Sequence, residues 1–277
     1  MKKDFVLKSK KNDILRISTF NSKLGEIKGC VIYVHGFKGF KDWGFVPFLA
    51  NFFSENGFFV ITFNFSHNGV GESLIEFDEL EKFENNTFSL EIEELNFIID
   101  AYKNGEFYIE PHSKINIIGH SRGGAISLLT VAKRNDINSL ALWASISKID
   151  RFSEVQKNIW KKNGYIEVLN TRTNQLMKLG LPLLEDIEKN ISDSLNIEKA
   201  MKKLTIPVLL AHGTDDTSVP ILESEELFNW SNKENVRFLK IEGAGHTFNT
   251  AHPFVSSNSS FDFLLEETKK FFNEQLN

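Results

Sequence analysis

The spacing of apolar and polar residues changes character along the chain, and each change predicts an element. Residues 4–8 and 14–20 alternate apolar and polar, as two half-exposed antiparallel strands joined at Lys10-Lys11-Asn12-Asp13 would. Cys30 to Val34 is a continuous apolar run, the pattern of a strand covered on both faces. The spacing then predicts a helix from Phe45 to Asn56, closed by Gly57, and a second covered strand from Phe58 to Asn64. An amphipathic helix follows over residues 87–104. Ile115 to Ile126 reads as a strand, a tight turn and the start of a helix running to Lys133-Arg134, and Ser139–Ser145 as a further strand. Strand and helix thus alternate over residues 29–145, which predicts a parallel sheet with helices on both faces. The alternation resumes late, with strands at Ile206–Ala211 and Val236–Ile241, and helices at Pro220–Trp230 and 258–274.

Residues 146–203 interrupt this rhythm. Charges are frequent there, Phe152, Val155 and Ile159 fit one helical face, and Asn163-Gly164 ends that helix. Tyr165–Leu169 and Leu176–Leu179 are placed to pair as a hairpin, and residues 183–203 return to a helical pattern. The expected organisation is one core from residues 1–145 and 204–277, with 146–203 inserted into it as a lid.

Composition narrows the function classes. The chain has 277 residues, enough for a sizeable core, with 25% charged residues and a net charge of −5. That balance gives no basis for expecting a nucleic-acid or anionic-membrane partner. A single cysteine, Cys30, excludes an internal disulfide, and its apolar run predicts a buried, inert thiol. The first residues lack the apolar run of a signal peptide, and no window approaches a membrane span, so the expectation is a cytoplasmic protein. The 26 phenylalanines exceed ordinary usage; most are expected in the core, with a surplus to line an apolar pocket.

The chemistry gathers at predicted strand ends. Ser121 stands between Gly119 and Gly123 on the tight turn, in the pattern Gly-x-Ser-x-Gly. A serine on such a turn projects its hydroxyl outward, side chains at the flanking glycines would strike neighbouring backbone, and the following helix aims N–H groups beside the hydroxyl. By itself the pattern is weak, arising by chance in roughly one such chain in ten or twenty at ordinary glycine usage. Three further stretches add weight. His35-Gly36-Phe37-Lys38-Gly39 follows an early strand and can supply a backbone N–H to a developing oxyanion. Adjacent aspartates, Asp215 and Asp216, follow the strand ending at Ala211, where a carboxylate can orient a histidine or merely cap the next helix. His246, in Gly243-Ala244-Gly245-His246, follows the strand ending at Ile241 and is preferred over its neighbour His252. His67 and His120 show no metal-ligand spacing, and no cofactor is expected.

The order Ser121, Asp216, His246 and the strand-end positions resemble the α/β-hydrolase superfamily over nearly the whole chain. His212-Gly213-x-x-Asp216-x-x-Val219-Pro220 matches the family's aspartate motif and favours Asp216. The resemblance implies a Ser121–His246–Asp216 triad, with the backbone N–H groups of Phe37 and Arg122 forming the oxyanion hole. Within the superfamily the chain is most similar to small bacterial carboxylesterases of the cinnamoyl and feruloyl esterase type. It departs from them at Arg122, where glutamine is common; the Arg122 side chain is expected to pair with a core carboxylate. The implied function is hydrolysis of small acyl esters, aryl ones included, with a small-molecule ester as partner and a homodimer left open. A serine aminopeptidase or amidase shares the same core and would need an acidic group for the peptide amine, with Glu154, Glu167 and Glu185 as candidates. A non-catalytic binding protein on the same fold is the third alternative.

Overall fold

In the computed structural model, which describes residues 1–21 and 26–276, strand β3 (Gly29–Val34) is buried throughout. Its side chains divide between two cores, with Cys30, Ile32 and Val34 on one face and Val31 and Tyr33 on the other. A continuous apolar run is what a two-sided sheet position requires, because successive side chains point to opposite faces. The same division holds for β4 (Phe58–Asn64), β5 (Ile115–His120), β6 (Ser139–Trp143) and β9 (Val208–Gly213).

These strands form an eight-stranded sheet in the order β1-β2-β4-β3-β5-β6-β9-β10. Here β1 is Lys2–Lys8, β2 is Ile14–Phe20 and β10 is Val236–Ile241. From β4 to β10 neighbouring strands run parallel; β1 and β2 form the antiparallel end, and β2 pairs antiparallel with β4. One face is covered by α1 (Val46–Glu55) and α9 (Ser259–Glu274), the other by α3 (Phe88–Lys103), α4 (Arg122–Val131) and α8 (Leu222–Trp230). The local signals explain the helix limits. Gly57 follows α1 with φ +93°, Thr87 caps α3 by accepting from the Leu90 N–H, and Asn258 caps α9 through Ser260 and Phe261.

The chain leaves the sheet between β6 and β9. It builds α5 (Glu154–Asn163), a two-stranded hairpin of β7 (Tyr165–Asn170) and β8 (Gln175–Gly180), α6 (Leu181–Asn190) and α7 (Ile197–Lys203). Ser153 and Gln156 form a reciprocal cap on α5, and Gly164 ends it with φ +83°.

Several expectations are corrected. The helix after Ser121 stops at Val131, because Lys133 and Arg134 donate to carbonyls three residues back and the Arg134 side chain pairs with Asp136 and Asp100. β6 ends at Trp143, since Ala144 takes φ +45°. Pro207 has no N–H to give a ladder, and β9 begins after it. The helical stretch 183–203 is two helices, the second capped by Asn196. The short α2 (Leu80–Glu84), too brief for a periodic signal, was not anticipated. On α5 the apolar spacing misled: Val155 and Ile159 are 68% and 48% exposed, while Trp160 is fully buried with its ring 5.0 Å from that of Phe152.

Candidate active site

Every sequence-predicted site residue follows the carboxyl end of a parallel strand. Ser121 follows β5 with φ 57° and ψ −122°, a strained conformation for a residue with a side chain. The flanking glycines explain how the turn fits. A Cβ on Gly123 would stand 2.3 Å from the Val34 carbonyl oxygen, and one on Gly119 would stand 2.6 Å from that of Gly123. The elbow is therefore pressed against the end of β3, and the turn Gly36–Gly39 lies beside it, with Gly36 in contact with Ser121.

Asp216 and His246 reach toward Ser121 from the ends of β9 and β10, two and three strands along the sheet from β5. His246 Nε2 lies 3.0 Å from Ser121 Oγ, and His246 Nδ1 lies 2.7 Å from Asp216 Oδ2. A Cβ on Gly213 would sit 2.1 Å from the Ala244 carbonyl oxygen, so the glycine lets the histidine loop close onto the aspartate loop. The Asp215 N–H also donates to that oxygen, at 3.0 Å. Asp215 itself is exposed, whereas Asp216 is buried. His252 is held elsewhere: its Nδ1 accepts from the Gly44 N–H at 2.8 Å and its ring stacks on Trp43.

Asp216 is held as an anion. Burial would raise its pKa, but hydrogen bonds from His212, His246 and the Val219 N–H outweigh that and keep it well below the usual carboxylate range. Its Oδ1 accepts from the N–H groups of Ser218 and Val219, each at 2.9 Å. With Oδ2 accepting from Nδ1–H, the imidazole presents an unprotonated Nε2 to Ser121.

Two histidines that the sequence reading left without a role support this arrangement. His212 is fully buried, with Nδ1 2.6 Å from the Ser224 hydroxyl and Nε2 2.8 Å from the Val219 carbonyl. A carbonyl only accepts, so Nε2 carries the proton, and it also lies 3.2 Å from Asp216 Oδ2. His120 donates from Nε2 to the His246 carbonyl at 2.9 Å. Burial and the neighbouring His246 push its pKa down to about 3, so it acts as a neutral prop. His35 is similar. Burial lowers it to about 4, it accepts from the Phe65 N–H at 3.4 Å, and its Nδ1 donates to the Gly36 carbonyl at 2.9 Å, fixing the turn beside Ser121. The signals for these three were present in the motifs as His-Gly or Gly-His pairs, but the contacts to Phe65 and to the His246 carbonyl come from segments remote in sequence.

Arg122 directly follows Ser121, and Phe37 lines both cavities together with Ser121. Arg122 opens α4, so its N–H has no intrahelical acceptor, and Phe37 is the second residue of the Gly36–Gly39 turn. The Arg122 side chain is buried and donates from Nε to Glu91 Oε2 at 2.8 Å, the core carboxylate expected for it.

Two cavities meet at Ser121. One of about 150 Å³ is lined by Tyr33, Phe37, Phe40, Trp43 and His120 among others. The other, about 420 Å³, is walled by Phe37, Phe88, Ile149, Phe152, Leu179 and Leu183, with Ser121 and His246 at one side. Part of the phenylalanine surplus therefore does line this space. Glu154, Glu167 and Glu185 line neither cavity. Away from the site, Asp13, His67 and Glu94 bring one ligand-type atom each to within 4.8 Å of one another, a convergence with no counterpart in sequence spacing. Among the described residues no helix is long and apolar enough to cross a membrane.

The sheet order, the serine on a strained strand-to-helix turn, and the aspartate and histidine at later strand ends define an α/β-hydrolase-fold protein. Residues 29–163 match the sequence model described as alpha/beta hydrolase fold. The structure is similar to Est1E from Butyrivibrio proteoclasticus, with a TM-score of 0.74 and 17% identity, covering 99% of this chain and 98% of that one. Est1E is also known with ferulic acid bound. A puromycin-hydrolyzing peptidase of Mycobacterium tuberculosis superposes with a TM-score of 0.70 and 18% identity, over 100% of this chain and 39% of the peptidase. In sequence, 128 residues are 28% identical to the teichoic acid glycerol-phosphate primase of Bacillus subtilis (strain 168). That match covers 45% of this chain and only 29% of the primase.

Proposed function

We propose that the chain is a serine carboxylesterase acting on small acyl esters, aryl esters among them. The observation that carries this reading is the unbroken series of contacts from Ser121 Oγ through His246 to Asp216, opening onto apolar cavities. His246 Nε2 removes the Ser121 proton as the hydroxyl oxygen attacks the ester carbonyl carbon. The carbonyl oxygen becomes an anion facing the Phe37 and Arg122 N–H groups, each donor of this kind being worth about 2.7–4 kcal/mol to the transition state. The tetrahedral centre collapses, the C–O bond to the alcohol breaks, and His246 gives its proton to the departing oxygen. Water then attacks the acyl-Ser121 ester by the same route, releasing the acid and restoring the hydroxyl. No metal or organic cofactor takes part in this sequence.

Residues 146–203 serve in this reading as the lid over the site, since Ile149, Phe152, Val168, Leu179 and Leu183 form much of the wall of the larger cavity. Est1E, known with ferulic acid bound, supports an aryl-ester preference by analogy. The peptidase alternative, which the puromycin-hydrolyzing neighbour suggests, is less well supported. An aminopeptidase needs a carboxylate to hold the peptide amine, and no Asp or Glu is among the residues lining either cavity.

Purified protein incubated with short-chain nitrophenyl esters and matched aminoacyl amides tests the reading. Esters are expected to turn over faster, and Ser121→Ala is expected to abolish both turnover and labelling by a fluorophosphonate. Unchanged hydrolysis by Ser121→Ala, or an intact protein that neither labels nor hydrolyses, refutes it.

A further inference from the structure

The larger cavity beside Ser121 is apolar along most of its wall, yet three cationic residues line it: Lys38, Arg122 and Arg151. No acidic residue is among its lining residues. Arg151 is satisfied, since Glu223 takes its Nη1 at 2.6 and 2.7 Å. The other two are not. Lys38 donates only to the Leu169 carbonyl, at 3.0 Å, and no carboxylate lies within 4.0 Å of it among the described residues. Arg122 is 7% exposed; its Nε meets Glu91, but its Nη2 is buried without any hydrogen-bond partner. The guanidinium is fixed in place by Phe88, whose ring centroid is 3.9 Å from Cζ, and flanked by Phe37 at 5.8 Å. A fixed guanidinium with one nitrogen left without an acceptor, and an ammonium without a carboxylate partner on the wall of the same cavity, are the recognition chemistry of an oxyanion.

We infer that this cavity takes an ester whose acyl chain ends in a second, anionic carboxylate, that is, a half-ester of an apolar dicarboxylic acid. Ser121 lies beside one part of the cavity wall, and Lys38 and Arg122 receive the distal carboxylate after the methylenes have crossed the apolar lining. The inference rests on the esterase reading and names the class of ester; a half-buried ammonium without a carboxylate partner and a buried guanidinium nitrogen without an acceptor set the preference. Desolvation, with Arg172 nearby, also lowers the Lys38 pKa, consistent with an ammonium that lacks a counter-charge.

Two ligands matched in length separate this from general ester binding: monoethyl adipate, which is anionic, and ethyl hexanoate, which is neutral. Calorimetric titration of Ser121→Ala protein with each reads binding without turnover. Monoethyl adipate is expected to bind about tenfold tighter, an advantage that falls as salt rises. In the same background Lys38→Met is expected to remove most of that ratio, and Arg122→Gln to reduce it. Because Arg122 is buried against Glu91 and its variant is prone to unfold, Lys38→Met is the decisive one. Equal affinity for the two ligands, or a ratio unchanged by Lys38→Met, overturns the inference. Its failure is separable from that of the esterase reading: wild-type protein that hydrolyses ethyl hexanoate and labels with fluorophosphonate, yet shows no anionic preference, loses only the substrate class.

Discussion

Replacing Asp216 by asparagine tests the active-site electrostatics at one atom. The carboxylate receives only donors: the Ser218 and Val219 N–H groups on Oδ1, and His246 Nδ1–H on Oδ2, with His212 Nε2–H 3.2 Å away. An asparagine has one acceptor oxygen and one amide nitrogen. If the oxygen faces the two backbone N–H groups, the NH2 faces His246 Nδ1 and forces it to accept. The proton then moves to Nε2, the atom that must take the proton of Ser121. If the amide is turned over, two backbone donors confront the NH2 instead, leaving buried N–H groups unpaired at about 1–3 kcal/mol each. The first orientation is the cheaper, so the variant folds with the wrong histidine tautomer. A tautomer reversal of this kind lowers kcat by about 10⁴. His212 Nε2–H also meets the NH2, so a stability loss of about 1–3 kcal/mol accompanies it, or several degrees in Tm for a chain this long. The assay is kcat on a short-chain nitrophenyl ester, with a thermal melt to show the variant is folded. A folded Asp216→Asn protein keeping more than about a tenth of the parent kcat would refute the tautomer argument.

Stability should fall as pH is lowered from about 6.5 toward 4. Burial depresses His35 to about 4 and His120 to about 3, so the unfolded chain binds more protons across that window and the folded state loses ground, by about 3 kcal/mol for His35 alone. Glu94, which burial raises to about 7, has the opposite sign: its contribution is present below pH 4.5 and is lost as pH rises to 7, so it offsets part of the acid loss. Denaturant midpoints measured at several pH values should show the decline, and a steeper one in Glu94→Gln; a flat profile in Glu94→Gln contradicts the histidine assignments, and a slope that Glu94→Gln leaves unchanged contradicts that of Glu94. In the segment between β6 and β9, Trp160 is fully buried with its Nε1 unpaired. Trp160→Ala is expected to cost about 3–5 kcal/mol, while Trp160→Phe, which keeps the packing and removes the unpaired N–H, should stay within about 1 kcal/mol. Chemical denaturation compares the two, and equal losses would show that the indole packing is not what matters.

The sequence by itself determined the frame. Strands covered on both faces must be continuously apolar, so Cys30–Val34 and Phe58–Asn64 were legible without any knowledge of their neighbours. Ser121, Asp216 and His246 were legible for a related reason: each sits in a short motif directly after such a strand, and parallel strands deliver their carboxyl ends to one edge. The tertiary structure decided what depends on contacts between distant segments. His120 acts through a carbonyl 126 residues away, His35 is held by the Phe65 N–H 30 residues on, and His212 reaches Val219 and Ser224 across a loop, so spacing alone did not assign them a role. On α5 the helical period located a face but not its direction. Val155 and Ile159 point to solvent because Trp160 is the side chain that meets Phe152. Arg122 shows the division most sharply. Its position after the serine was visible in the chain, and a core carboxylate was expected for it. Only the packing of α3 against α4 identified that carboxylate as Glu91 and left one buried guanidinium nitrogen without a partner, because a hydrogen bond is set by where two helices meet rather than by the residue that donates it.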